Sequence, residues 1–133
     1  MEFSEPDRLF KIWSYTVSHK TMLIRSDAEP EVGTTTRIEI YVNHVRVMLI
    51  NSFLQGLTIR RATELDLADV VKRYGVGASI DNLFLLESSS GNGFVVGGRP
   101  SWREGVREID EPTLFDFSLP WPPGPDIKWG DVE

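Results

Sequence analysis

Cysteine is absent from the 133-residue chain, which excludes disulfide scaffolds, thiolate nucleophiles and Cys-ligated zinc at the outset. Histidine is scarce: His19 and His44 are the whole imidazole inventory, and neither sits in an H-E-x-x-H or comparable ligand spacing. A histidine metal site would need partners from distant segments, so no metal and no cofactor is expected. No apolar run approaches the roughly 20 residues of a membrane-spanning helix. With 41% hydrophobic and 26% charged residues the composition is that of a soluble globular domain, and no contact with membrane is expected. The opening residues MEFSEPDRLF carry acids where a secretory signal has a basic and then an apolar stretch, so the chain reads as cytoplasmic. Basic excess is missing too. A net charge of -6 argues against a nucleic-acid binder, which needs a concentrated positive face.

Phosphate-binding loops are not expected either. Gly75-Val76-Gly77 follows a predicted helix, whereas a dinucleotide loop follows a strand and opens a helix. Gly91, Gly93, Gly97 and Gly98 flank a predicted strand with no G-K-[ST] nearby and fit a turn and a tight bend. Asp27, Glu29 and Glu31 alternate as calcium-loop ligands do, but glycine falls at the seventh position and Ile38 at the twelfth, so they read as a solvated acidic loop. His19 beside Ser18 lacks a glycine-elbow context, and strand neighbours point to opposite faces; it reads as a turn histidine. His44 reads as a solvated turn residue. Paired acids for glycoside hydrolysis leave no mark in sequence spacing.

What the chain does have is unevenly placed. Residues 108–133 hold Glu108, Asp110, Glu111, Asp116, Asp126, Asp131 and Glu133 against the lone Lys128, which accounts for the whole net charge of -6. Pro112, Pro120, Pro122, Pro123 and Pro125 lie there, with Trp121 and Trp129. The organisation expected is a single domain over residues 1–119 and a Pro/Trp-rich acidic C-terminal tail over 120–133.

Local patterns predict an α+β domain with a mostly antiparallel sheet built from hairpins and one main helix. In TRIEIYVNHVRVMLI, a two-residue turn at Asn43-His44 would set Val42, Ile40 and Ile38 opposite Val45, Val47 and Leu49 on one apolar face. FKIWSYTV and TMLIRS predict a second hairpin or one bent strand, Gly56–Arg61 a fifth strand, and DNLFLLES with FVVGG a further hairpin. Leu67, Val70, Val71 and Tyr74 fall at helical spacing, with Asp66 as the cap, Leu65 stapled to Val70 and Gly75 as the stop. Residues 101–109 fit a helix behind a Ser101/Glu104 capping box or a continuing strand. LFDFSL, with Phe115, Phe117 and Leu119 alternating, predicts a last short strand.

These patterns favour a non-enzymatic protein-interaction module with a protein partner. Size and charge match the class of small acidic inhibitors, such as bacterial immunity proteins, that occlude a basic enzyme. Trp121, Trp129, Asp126 and Asp131 are the candidate partner-binding residues, and Arg99, Arg103 and Arg107 form a candidate basic patch on which the acidic tail or a partner would land. The alternative is a small-ligand domain in which Trp13, Tyr15, Tyr41, Phe84 and Phe94 line a pocket and Arg37 or Arg46 orients an anion. Core packing competes for those aromatics. An enzyme built on acid pairs or on His19 ranks last.

Overall fold

The computed structural model describes residues 2–133. Nine strands form one antiparallel sheet: β1 (Phe3–Thr16), β2 (Thr21–Ser26), β3 (Arg37–Val42), β4 (Val47–Leu49), β5 (Phe53–Arg61), β6 (Leu83–Glu87), β7 (Gly93–Val96), β8 (Ser101–Gly105) and β9 (Lys128–Asp131). Their order across the sheet is β4-β7-β6-β5-β1-β2-β3-β8-β9. One helix, α1 (Glu64–Tyr74), packs on it, so the chain is a single α+β domain.

Alternation decides which face of each strand goes inside. Ile38, Ile40 and Val42 of β3, Met22 and Ile24 of β2, and Leu54, Leu57 and Ile59 of β5 are almost fully buried in one cluster with Phe10 and Phe84. The sheet curls around this cluster. Where β1 passes Pro6–Arg8, its register against β5 shifts, and Gly56 takes a left-handed φ of 70°. A Cβ at Gly56 would stand 2.5 Å from the Pro6 carbonyl oxygen, so only glycine fits this bend. Phe3, beyond the bend, packs edge-on against Phe10 (5.9 Å) and reaches Trp102 of β8 (6.0 Å).

Helix α1 covers the outer face of the β6-β7-β4 end through Val70 and Leu67, over Ala62, Leu83, Phe94 and Val96. Tyr74 meets the Phe94 ring at 5.2 Å. It begins three residues earlier than its apolar pattern implies, because Thr63 is the cap. The Thr63 hydroxyl accepts from the Asp66 N–H, and the Asp66 carboxylate accepts from the Thr63 N–H, so Asp66 sits at N3 of a capping box. The Leu65–Val70 staple is not made: Leu65 is 84% exposed. Gly75, left-handed at φ 65°, ends the helix as its sequence predicts.

Two local expectations are overturned, and the open choice between helix and strand at 101–109 is decided as strand for 101–105. The Asn43-His44 hairpin does not form: β3 pairs with β2 and β8, and β4 pairs with β7 near the opposite edge. His44 does adopt a positive φ of 51°, but it turns the chain across the end of the core, where the Val45 N–H donates to the Lys20 carbonyl. Cross-strand complementarity between 38–42 and 45–49 is genuine, yet both edges of β3 find longer partners elsewhere. Residues 101–105 are strand, with Arg37 to Tyr41 as their cross-strand partners. Residues 114–119 are not strand; Leu114 and Phe115 are buried on the sheet, and the Leu114 N–H bonds a side chain where a ladder would need a carbonyl.

Candidate functional site

The outer face of β3 carries Arg37, Glu39 and Tyr41, a polar set that the alternation with Ile38, Ile40 and Val42 would send into water. Instead Arg37 and Glu39 are fully buried. Segment 108–117 lies across this face as a strap, held by charged side chains from three adjacent strands. The Arg37 guanidinium donates to the carbonyls of Glu108, Glu111 (3.2 Å) and Pro112 (2.9 Å). Arg25 donates to the Ile109 carbonyl (2.8 Å) and Arg103 to the Leu114 carbonyl (2.7 Å). The Glu39 carboxylate accepts from the Leu114 N–H (2.5 Å) and the Thr113 hydroxyl (2.7 Å). Backbone groups of an irregular segment would be costly to bury unpaired, and these side chains satisfy them.

Register lines these groups up. Lys11, Arg25, Glu39, Arg103 and Trp129 are successive cross-strand partners on β1, β2, β3, β8 and β9. Counter-charge comes from Asp27, whose Oδ1 is 2.6 Å from Arg25 and 3.8 Å from Arg37, while Lys11 stands 3.2 Å from its Oδ2. Burial pushes the Asp27 carboxyl up, but the Arg25 and Lys11 contacts outweigh it and hold it below the usual range. Arg37 Nη1 faces Glu39 Oε2 at 3.7 Å, and Arg8 faces Glu104 at 4.0 Å. Arg103 differs from these buried arginines: among the described residues no carboxylate oxygen lies within 4 Å of it. Burial lowers its pKa, with the charge of Glu39 opposing.

The strap delivers aromatic rings to the Arg103 guanidinium. Phe115 stacks on Tyr41 (5.3 Å, 24°), and Phe117 meets Tyr41 edge-on at 5.2 Å. Arg103 Cζ lies 4.6 Å from the Phe115 ring centroid, 5.2 Å from that of Trp121 and 5.7 Å from that of Phe117. Trp121 and Trp129 are 4.9 Å apart, tilted by 59°. Two cavities open on either side of this group. One, of about 680 Å³, runs between the strap and residues 119–127; the other, of about 460 Å³, lies towards Tyr41 and β9, and both reach Arg103, Phe117 and Trp121. The outer side chains stay in water: Phe117 is 65% exposed, Trp121 63% and Leu119 63%.

Of the candidate residues, the structure brings Trp121, Trp129 and Arg103 together. Asp131 sits beside them on β9, accepting from the Ser101 hydroxyl (2.7 Å) with Arg99 at 3.8 Å. Asp126 is exposed in the turn before β9. Arg107 lines the larger cavity and donates to the Val106 carbonyl. The tail stretch 120–133 contains β9 itself, and Val132 after it is buried in the main core. The aromatics of the alternative pocket do not converge. Phe84 belongs to the main core, Phe94 to the helix side, and Trp13 lies over Arg25 at 3.9 Å. Arg46 donates to the Gly77 carbonyl and Arg37 to the strap. His19 is in the β1–β2 turn, where its Nδ1 comes within 3.0 Å of Ser18 Oγ because a turn frees neighbours from strand alternation. No group of three His, Cys, Asp or Glu fit for a metal occurs among the described residues, and no helix there is long and apolar enough to cross a membrane.

Sequence reasoning missed Arg25, Glu39 and the strap. The one available signal was the Arg-x-Glu-x-Tyr alternation on a strand whose other face is all aliphatic, together with an aromatic, proline-rich segment able to cover it. No protein-family model, curated protein or solved structure matches the chain.

Proposed function

We propose that the protein binds another protein through the surface made by Phe117, Leu119, Trp121 and Trp129. The observation that carries this reading is the exposure of these four large apolar side chains, with Trp121 in ring contact with Trp129 and lining one cavity with Phe117 and Leu119, beside a strap held by buried hydrogen bonds and among four prolines. Small domains bury such residues when they can, and contiguous exposed apolar surface with a polar rim is the anatomy of an interface. Tryptophan is the residue type most enriched among binding hot spots. The rim is acidic, with Glu108, Asp110, Glu111 and Asp126 exposed, so the partner is a protein with a basic face around an apolar centre. That matches an adaptor or an inhibitor of a basic enzyme.

The test is a comparison of the wild-type chain with Phe117→Ser/Trp121→Ser in affinity purification from the source cell. Any protein retained at stoichiometric amount is then purified and titrated by calorimetry. The reading expects the double variant to bind at least about thirtyfold more weakly, the cost of one hot spot, and wild-type affinity to fall as salt rises. Equal binding by both chains would remove the proposal.

A further inference from the structure

Arg103 is the buried arginine without a carboxylate. Arg8, Arg25 and Arg37 all have acid oxygens within 4.0 Å, whereas Arg103, 7% exposed, spends one N–H on the Leu114 carbonyl and has three rings around it. Glu39, its cross-strand partner, supplies counter-charge only from beyond 4 Å, and ring faces offset only part of the hydration lost on burial. Its remaining donors are not sealed in protein: the guanidinium forms part of the wall of both cavities. The larger, at about 680 Å³, is within the range of small-molecule sites, and its other walls are mainly apolar, including Leu114, Pro122 and Ile127.

We infer that this cavity is a binding site for a small planar aromatic monocarboxylate, with the carboxylate on Arg103 and the ring against Trp121 and Phe117. Carboxylate is the geometry a guanidinium edge recognises best, by two parallel hydrogen bonds. A flat ring suits a cavity lined by the aromatic side chains of Trp121 and Phe117. Glu111 and Asp116 line the same cavity and repel a second anion, and Arg107, which also lines it, offsets part of that repulsion; among the described residues neither acid has an oxygen within 4 Å of Arg103. The cavity shares Phe117, Leu119 and Trp121 with the proposed protein-binding surface, and titration of small probes into the isolated chain tests it without reference to a protein partner.

The probes are 2-naphthoate, its neutral isostere 2-naphthamide, and naphthalene-2,6-dicarboxylate, titrated by calorimetry into the full chain. Naphthoate should bind and the amide at least about tenfold more weakly, because a charge-assisted Arg–carboxylate pair separates them, and the dicarboxylate more weakly because its second carboxylate meets Glu111 and Asp116. Arg103→Lys should abolish the preference for naphthoate over the amide. Should that variant not fold, Trp121→Ala removes an exposed wall and should weaken naphthoate binding while leaving the melting temperature unchanged. Naphthoate and naphthamide binding equally, or no naphthoate binding at millimolar concentration, would overturn the assignment. So would undiminished affinity in a folded Trp121→Ala chain.

Discussion

Replacing Glu39 with alanine should loosen the strap and expose how the site is held. Glu39 is fully buried and accepts the Leu114 N–H and the Thr113 hydroxyl, while its second oxygen faces Arg37 at 3.7 Å. Alanine leaves a backbone N–H without an acceptor and a fully buried guanidinium that keeps its strap carbonyls but has, among the described residues, only Asp27 at 3.8 Å as counter-charge within 4 Å. Breaking a buried ion pair from one side costs about 3–5 kcal/mol, since the remaining charge is stranded. For a domain of this size that is a fall of roughly 10–20 °C in melting temperature. Thr113→Val removes the hydroxyl bond to Glu39 and the acceptor of the Phe115 N–H (3.1 Å), and should cost about 2 kcal/mol. Glu39→Gln keeps an acceptor for Leu114 while deleting the charge, and should fall between the two. Urea unfolding gives the energies, and hydrogen exchange at the Leu114 amide reports the strap directly. If Glu39→Ala cost no more than Thr113→Val, or left the Leu114 amide as protected as before, the buried carboxylate would not be the latch.

Acid should weaken the start of α1 through Asp66. The Arg60 hydrogen bond foremost, with Thr63, holds its carboxyl at about 2 against an ordinary 3.8. Because folding depresses this pKa, the contribution is complete above 3.8 and fades as the pH falls towards 2, amounting to about 2 kcal/mol for a side chain this little exposed. Asp66→Asn should flatten the stability profile in that window; identical profiles would refute the assignment. Truncation after Leu119 deletes β9 and the buried Val132, so several kcal/mol of stability should go with it, read as a large fall in melting temperature. Trp121→Ser, at a residue 63% exposed, should leave stability nearly unchanged, and a truncated chain as stable as the wild type would show that the tail contributes no fold stability.

Local signals determined the elements whose partners are near in sequence. The β6–β7 hairpin and the Gly75 helix stop follow from alternation or backbone chemistry within a few residues, and of the two readings of FKIWSYTV and TMLIRS, hairpin or one bent strand, the hairpin forms. The α1 start was one capping box out of place because Asp66 and Thr63 each satisfy a cap pattern, and only the hydrogen bonds distinguish cap from N3. Concentration of charge, proline and tryptophan in residues 108–133 was likewise written in the sequence, and Trp121, Trp129 and Arg103 do meet. Tertiary structure alone decided that β3 rejects its neighbour β4 for β8, some sixty residues on, because alternation specifies a face and not a partner. It also decided that the polar face of β3 would be buried. A row of charges on a strand reads as solvated until another segment supplies the carbonyls and N–H groups that satisfy it, and that segment lies more than seventy residues from Glu39.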